Sequence, residues 1–408
     1  MAAVGPDTRP LDAALHEHAD DQVLWRLGAL RWVTLLSFNL AYVVVPLLLF
    51  ERTGSILLVG LALIGEGVLR AVLALGVGAG FRSISARAGM ASACALRLVA
   101  LALLAVSVVH FSVVVVALAS TLFYIGHFFA TLEQELRAAT LARRAVAAQT
   151  AHRLAEVLAP PVAFGLALAG GTLGREYAVM LFAAALAVLA HGAGFFAWFG
   201  SDLRSRRPPP SVRSLVHAWD YLRGRPTIVR GLVASIIGFA FFGWAVLATP
   251  FALQGRSIAG LALDSAAGIA LFKTLAALFG VAGALLSGRW LGDRSGVRVI
   301  AFSTVAAPLV FALGLSVSND WIAVALLSVV AAMLLGLFTW QRRLRQLASA
   351  PEHFQGVTAW CMALECLHIS LVGVALIAQS PWLLAAIGSV ALLLLLQPWK
   401  APGPRRAV

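Results

Sequence analysis

The sequence predicts an all-α integral membrane protein of twelve transmembrane helices, arranged as two pseudo-symmetric halves of six. Three observations predict it. Of the 408 residues, 61% are hydrophobic and 12% charged, with a mean hydropathy of +0.91, against roughly 45–50% and 25% in an ordinary soluble domain. Hydropathy divides the chain into twelve apolar runs, each close to the roughly 20 residues that a helical span needs. One long polar interruption separates six runs from the other six.

Residues 1–26 form a polar segment containing Asp7, Asp12, Glu17, Asp20 and Asp21. It lacks the basic start and apolar stretch of a cleaved signal, so the N-terminus is expected to stay in the cytoplasm. The first half, 27–200, holds runs near 29–50, 55–77, 89–109, 112–131, 147–170 and 178–199. The linker, 201–227, contains Pro208-Pro209-Pro210 and then a stretch from Ser211 to Arg223 with apolar residues at helical spacing. That pattern predicts an amphipathic helix along the cytoplasmic face. The second half, 228–399, holds runs near 228–250, 263–287, 299–316, 321–340, 357–378 and 381–397, and residues 400–408 form a cytoplasmic tail.

The net charge of +13 comes from 31 basic residues, all arginine except Lys273 and Lys400. With the N-terminus inside, the cytoplasmic connections carry Arg82, Arg87, Arg137, Arg143, Arg144, the linker arginines, Arg289, Arg294, Arg298, Arg342, Arg343 and Arg345. The opposite loops hold only Arg52, Arg175 and Arg256. This asymmetry is the positive-inside pattern, and an even number of spans returns the C-terminus to the cytoplasm. It assigns the basic excess to orientation in a lipid bilayer and removes nucleic acid as a partner. Cys94, Cys361 and Cys366 all fall within apolar runs, without metal spacing or a disulfide framework, and read as small core residues.

The halves share a detail. Pro46 precedes Arg52 by six residues at the end of the first run, and Pro250 precedes Arg256 by six at the end of the seventh. A duplicated six-span unit explains the coincidence.

Two six-span halves joined by a long cytoplasmic linker resemble the major facilitator superfamily. Between spans 8 and 9, the segment Gly288-Arg-Trp-Leu-Gly-Asp293-Arg294-Ser-Gly296-Val-Arg298 is similar to the family's loop signature. The resemblance gives Asp293, Arg294, Gly296 and Arg298 the part of a gating loop: an acid at a helix end pairs with bases and a neighbouring helix N-terminus, and glycine permits the tight turn. The corresponding loop of the first half, Gly78 to Gly89, has glycine and arginine but no aspartate. In span 5, Leu158-Ala159-Pro160-Pro161-Val-Ala163-Phe-Gly165 is similar to the antiporter motif, with alanine where that motif prefers glycine. Within the superfamily the overall pattern looks most like the twelve-span drug and siderophore exporters, the group containing the enterobactin exporter. The resemblance implies a monomeric transporter of the bacterial inner membrane.

Charges inside spans cost roughly 2.5–3.5 kcal/mol each on insertion scales, so they mark a pathway. Glu66 and Arg70 lie four apart on one face of span 2 and either pair with each other or leave Glu66 to take up a proton. Arg97 in span 3 is a candidate partner for Glu66 or for an anionic substrate group. Span 5 carries His152, Arg153 and Glu156; Lys273 lies near the middle of span 8; Glu365 and His368 sit one turn apart in span 11. Superfamily packing would set span 2 against span 11 and span 5 against span 8, bringing Glu66 to Glu365 and His368, and Lys273 to Glu156. Asn39, Tyr42 and Phe38 in span 1, with Phe241 and Trp244 in span 7, are candidates to line the cavity, as are Phe239 and Phe242.

No phosphate-binding glycine loop, zinc helix or nucleophile elbow occurs. His16-Glu17-His18 reads as a solvated stretch, so no metal or cofactor is expected and the protein is not expected to be an enzyme. A proton gradient supplies about 2.3 kcal/mol per charge per 100 mV. The reading is therefore proton-coupled export of a small molecule such as a siderophore or drug. Import of a small metabolite and flipping of an amphipathic lipid are the alternatives.

Overall fold

Helices dominate because long apolar runs in a bilayer have no other way to satisfy their backbone groups than internal i→i−4 bonding. The computed structural model describes residues 9–79, 86–140, 145–199, 212–225, 228–229, 256–258, 260–262, 265–290, 316–326, 328–330 and 354–378, with isolated positions between. The predicted spans near 228–250, 299–316 and 381–397 lie almost wholly outside these residues, and the one near 321–340 partly so.

The first half comprises α1 (Arg9–Thr53), α2 (Ile56–Ala79), α3 (Ala86–Val109), α4 (Val113–Thr140), α5 (Ala145–Thr172) and α6 (Glu176–Phe199). The linker contributes α7 (Val212–Arg223). A short antiparallel hairpin, β1 (Ser257–Ile258) and β2 (Leu261–Ala262), leads into α8 (Ala266–Trp290), and α9 (Phe354–Ile377) corresponds to span 11. Among the described residues, six helices are long and apolar enough to cross a membrane. The helix containing span 1 begins at Arg9, so part of the expected polar segment 1–26 continues the first span as helix.

The turns follow local chemistry. Gly54 and Gly174 end α1 and α5 at positive φ, 65° and 63°, where a side chain would be strained. Serine caps start the next helices: Ser55 Oγ accepts from Leu58 N at 3.3 Å, and Ser265 Oγ accepts from Gly268 N at 3.0 Å. Pro160 and Pro161 stand within α5. Beside them Ala159, Ala163 and Ala167 are buried at four-residue spacing, the small-residue stripe that lets membrane helices approach closely.

α1 runs through the centre of its half, with Val44 and Leu48 wholly buried, and packs on α4, α5 and α6. The outward faces carry apolar side chains suited to lipid, among them Leu57, Leu61, Val68 and Val72 on α2 and Phe182, Leu186 and Leu189 on α6.

Among the described residues the halves meet chiefly along two helix pairs, with a smaller contact of α1 on α8. α2 packs along α9, and α5 packs on α8. Glycines make the first one close: a Cβ on Gly60 would lie 2.8 Å from the Gly373 carbonyl oxygen, and one on Gly67 would lie 2.8 Å from the Ser370 nitrogen. α7 lies under this seam. Its Ala218 and Leu222 are buried with Val357 and Cys361, Trp360 Nε1 donates to the Leu215 carbonyl at 3.0 Å, and the Trp219 and Trp360 rings are 4.6 Å apart. The apolar residues at helical spacing in Val212–Arg223 form the buried face of this helix.

Candidate functional site at the junction of the halves

Glu66 and Arg70 form an ion pair one turn apart on α2, Oε1 to Nη2 2.5 Å. Their side chains are 4% and 15% exposed, so the pair is shielded from solvent screening. The Tyr124 hydroxyl on α4 lies close to the Glu66 carboxylate. The Arg70 guanidinium lies over the Tyr124 ring at 4.3 Å and the Phe38 ring at 5.4 Å from the centroids. From the other half, Cys366 and His368 on α9 stand within electrostatic reach of Arg70. The His368 ring bonds the Glu365 carbonyl of its own helix, and Glu365 has interactions of its own.

An aromatic stack backs the pair. Phe38 stacks on Tyr42 at 5.2 Å and on His127 of α4 at 4.5 Å, both interplanar angles being 26°. At the Tyr42 end of the stack stands Lys273 of α8, its Nζ 4.4 Å from the ring centroid. Lys273 is 8% exposed, and its Nζ makes no hydrogen bond. The ammonium thus has an aromatic face where an anion would ordinarily be. Asn39, one of the cavity-lining candidates, donates its amide to the Leu35 carbonyl at 3.0 Å.

Arg97, a candidate partner for Glu66 by its sequence position, bonds to α1 instead, while Glu66 pairs with Arg70. It is wholly buried, donates to Ser37 Oγ on α1 and lies 5.5 Å from the Phe123 ring. The cause is packing: α3 lies against α4 and α6, not along α2, so its inward side chains meet α1. Gly126 on α4 makes room, since a Cβ there would come within 2.6 Å of the Ala93 carbonyl oxygen and 2.7 Å of Arg97 Cγ.

A second polar network lies beside it. Gln134 Nε2 donates to Thr34 Oγ1 at 2.9 Å and contacts His191 Nε2 at 2.7 Å, joining α4, α1 and α6. Arg31 Nη1 donates to Thr131 Oγ1 at 3.3 Å, and Thr131 in turn contacts His127 Nε2 at 3.5 Å. Tyr124, His127, Gln134 and His191 were absent from the sequence-derived site. Polar residues at 124, 127, 131 and 134 on one α4 face were the available signal.

The structure sets Glu66 and Arg70 on α2 against α9, where Cys366 and His368 lie near Arg70, and it brings Tyr42 to Lys273. The side chains of His152, Arg153 and Glu156, and residues Phe239, Phe241, Phe242, Trp244, Asp293, Arg294, Gly296 and Arg298, lie outside the described residues.

The sequence matches no protein-family model and no curated protein. Solved structures share its shape. A POT family transporter in complex with a thioalcohol-conjugated peptide superposes with a TM-score of 0.65 at 11% identity, over 92% of this chain and 95% of that one. The same family in complex with 5-aminolevulinic acid gives 0.64, also at 11% identity and over the same shares. A bacterial homologue of the iron transporter ferroportin, in an outward-facing state with soaked iron, gives 0.61 at 14% identity over 91% and 97%. The chain therefore has the major facilitator fold, an all-α membrane architecture of two pseudo-symmetric halves. At these identities the likeness is one of fold.

Proposed function

We propose that the protein is a secondary active transporter of the inner membrane that exports a small molecule, such as a siderophore or drug, by alternating access in exchange for protons. The observation that carries the reading is the buried Glu66–Arg70 pair on α2 at its seam with α9. A carboxylate held between an arginine and a tyrosine hydroxyl changes charge when protonated, and releasing Arg70 changes what the seam can accommodate. Glu365 and His368 offer a second proton-carrying pair across that seam. In this reading Asp293, Arg294, Gly296 and Arg298 gate the cytoplasmic side, and Arg153 and Glu156 of span 5 belong to the pathway. Structural likeness to transporters of peptides and iron supports transport as the class of function.

The test is reconstitution in liposomes with an imposed proton gradient. Substrate-driven proton movement across the membrane is expected for the wild type, with loss of coupling in Glu66→Gln and Glu365→Gln. Full pH-dependent transport in both variants sinks the proposal. Everted vesicles against intact cells give the direction and separate export from import or lipid flipping.

A further inference from the structure

We infer that Lys273 is the anchor for an organic anion, so that the transported molecule carries a carboxylate or a group of like charge and shape. This rests on the transporter reading and names the substrate class of that site.

The argument begins with cost. An ammonium held inside a membrane protein without a counter-ion is expensive, and such groups persist where they pair with something. Among the described residues, Lys273 and Arg97 are buried cations that form no ion pair with a carboxylate. Arg97 is enclosed within the first half, at 0% exposure, with Ser37 as its hydrogen-bond acceptor. Lys273 stands between the halves: it belongs to α8 of the second and faces Tyr42 on α1 of the first. A major facilitator fold opens and closes where its halves meet, so this cation is the one that motion would expose.

The surroundings suit a charged organic molecule. Glu66 and Arg70 are paired with each other, and among the described residues no carboxylate pairs with Lys273. Phe38 and Tyr42 offer apolar surface next to it, and Tyr42 has a hydroxyl able to donate to a second carboxylate oxygen. The Tyr42 ring occupies the ammonium only through a cation–π contact, which an incoming carboxylate replaces with a stronger, charge-assisted hydrogen bond. Arginine would stay clamped to such a partner; lysine, a compact charge on a flexible stem, can take it up and let it go.

The test uses the full chain in detergent, with sodium benzoate, citrate, phosphate and chloride as probe anions and tetraphenylphosphonium as a probe cation, read as shifts in melting temperature. Benzoate or citrate is expected to raise the midpoint of the wild type and to have no effect on Lys273→Met, with part of the effect kept in Lys273→Arg. Without any probe, Lys273→Met is expected to melt at or above the wild-type temperature, because an uncompensated charge has been removed. Equal anion shifts in wild type and Lys273→Met, or no carboxylate shift in the wild type, overturn the assignment. A response to chloride and phosphate alone overturns it too, in favour of an inorganic ion. Transport that proceeds in liposomes and is indifferent to Lys273→Met refutes the anchor and leaves the transporter standing. Lys273-dependent binding without any transport does the reverse.

Discussion

Arg52 and Arg256 perform the same task in the two halves. Arg52, at the end of α1, donates to the carbonyl of Val108 at the end of α3, at 2.9 Å. Arg256 follows span 7 and donates to the carbonyls of Val317 and Ser318, at the end of span 9, both at 3.1 Å. Spans 3 and 9 are equivalent in a six-span repeat, so the shared proline-to-arginine spacing encodes a shared bracket over the last carbonyls of a neighbouring helix. Arg256 adds an ion pair with Asp320.

The brackets should differ in strength. Arg256 has three acceptors to Arg52's one carbonyl. Hydrogen bonds to charged groups are worth about 1.5–3 kcal/mol when well shielded and less at a membrane surface. Arg256→Ala is expected to lower the melting midpoint in detergent more than Arg52→Ala; an equal or reversed order contradicts the geometry.

Breaking the central pair from one side should cost more than removing it whole. Glu66→Met leaves the Arg70 guanidinium buried among aromatic rings, at a cost of about 3 kcal/mol or somewhat more. The double variant Glu66→Met/Arg70→Met should recover most of that stability while remaining unable to couple protons. A double-mutant cycle on unfolding midpoints with no interaction energy would show that the two side chains do not pair.

The glycine seam gives a prediction about motion. Gly60→Ala would force α2 away from α9, since its Cβ meets both the Gly373 carbonyl and the Ile377 side chain. Overpacking of this kind costs typically about 1–3 kcal/mol. Turnover in liposomes is expected to fall much further than expression or melting temperature. Gly65→Ala serves as the control, because its Cβ would meet nothing within 4 Å.

In the first half, Gln134→Leu removes the amide that serves Thr34 and His191 at once. Leaving buried polar groups without their partner costs about 1–3 kcal/mol for each group affected. Thermal unfolding should register a loss in that range, and Gln134→Asn should not restore it, because the shorter arm cannot span both.

The sequence displayed what depends on one segment at a time. Length and hydropathy place the spans, spacing alone makes α7 amphipathic, and four-residue separation makes the Glu66–Arg70 pair. Ser37 beneath Arg97, Tyr42 beneath Lys273 and His191 beside Gln134 were not legible, since each partner comes from another helix. A membrane helix that is apolar on every side gives no periodicity to say which face turns inward. Packing decided it, through small residues such as Gly126 and Ala163 that determine which helices approach.

α7 has one more implication. It is fastened to α9 by the Trp360 bond and the Trp219 ring, and twelve residues separate it from Phe199, the end of the first half. Fully stretched, such a connection reaches about 40 Å. α7 is thus held chiefly to the second half, and the length of the twelve-residue connection sets an upper bound on how far the two halves can part on that side. Shortening that connection residue by residue would turn it into a ruler.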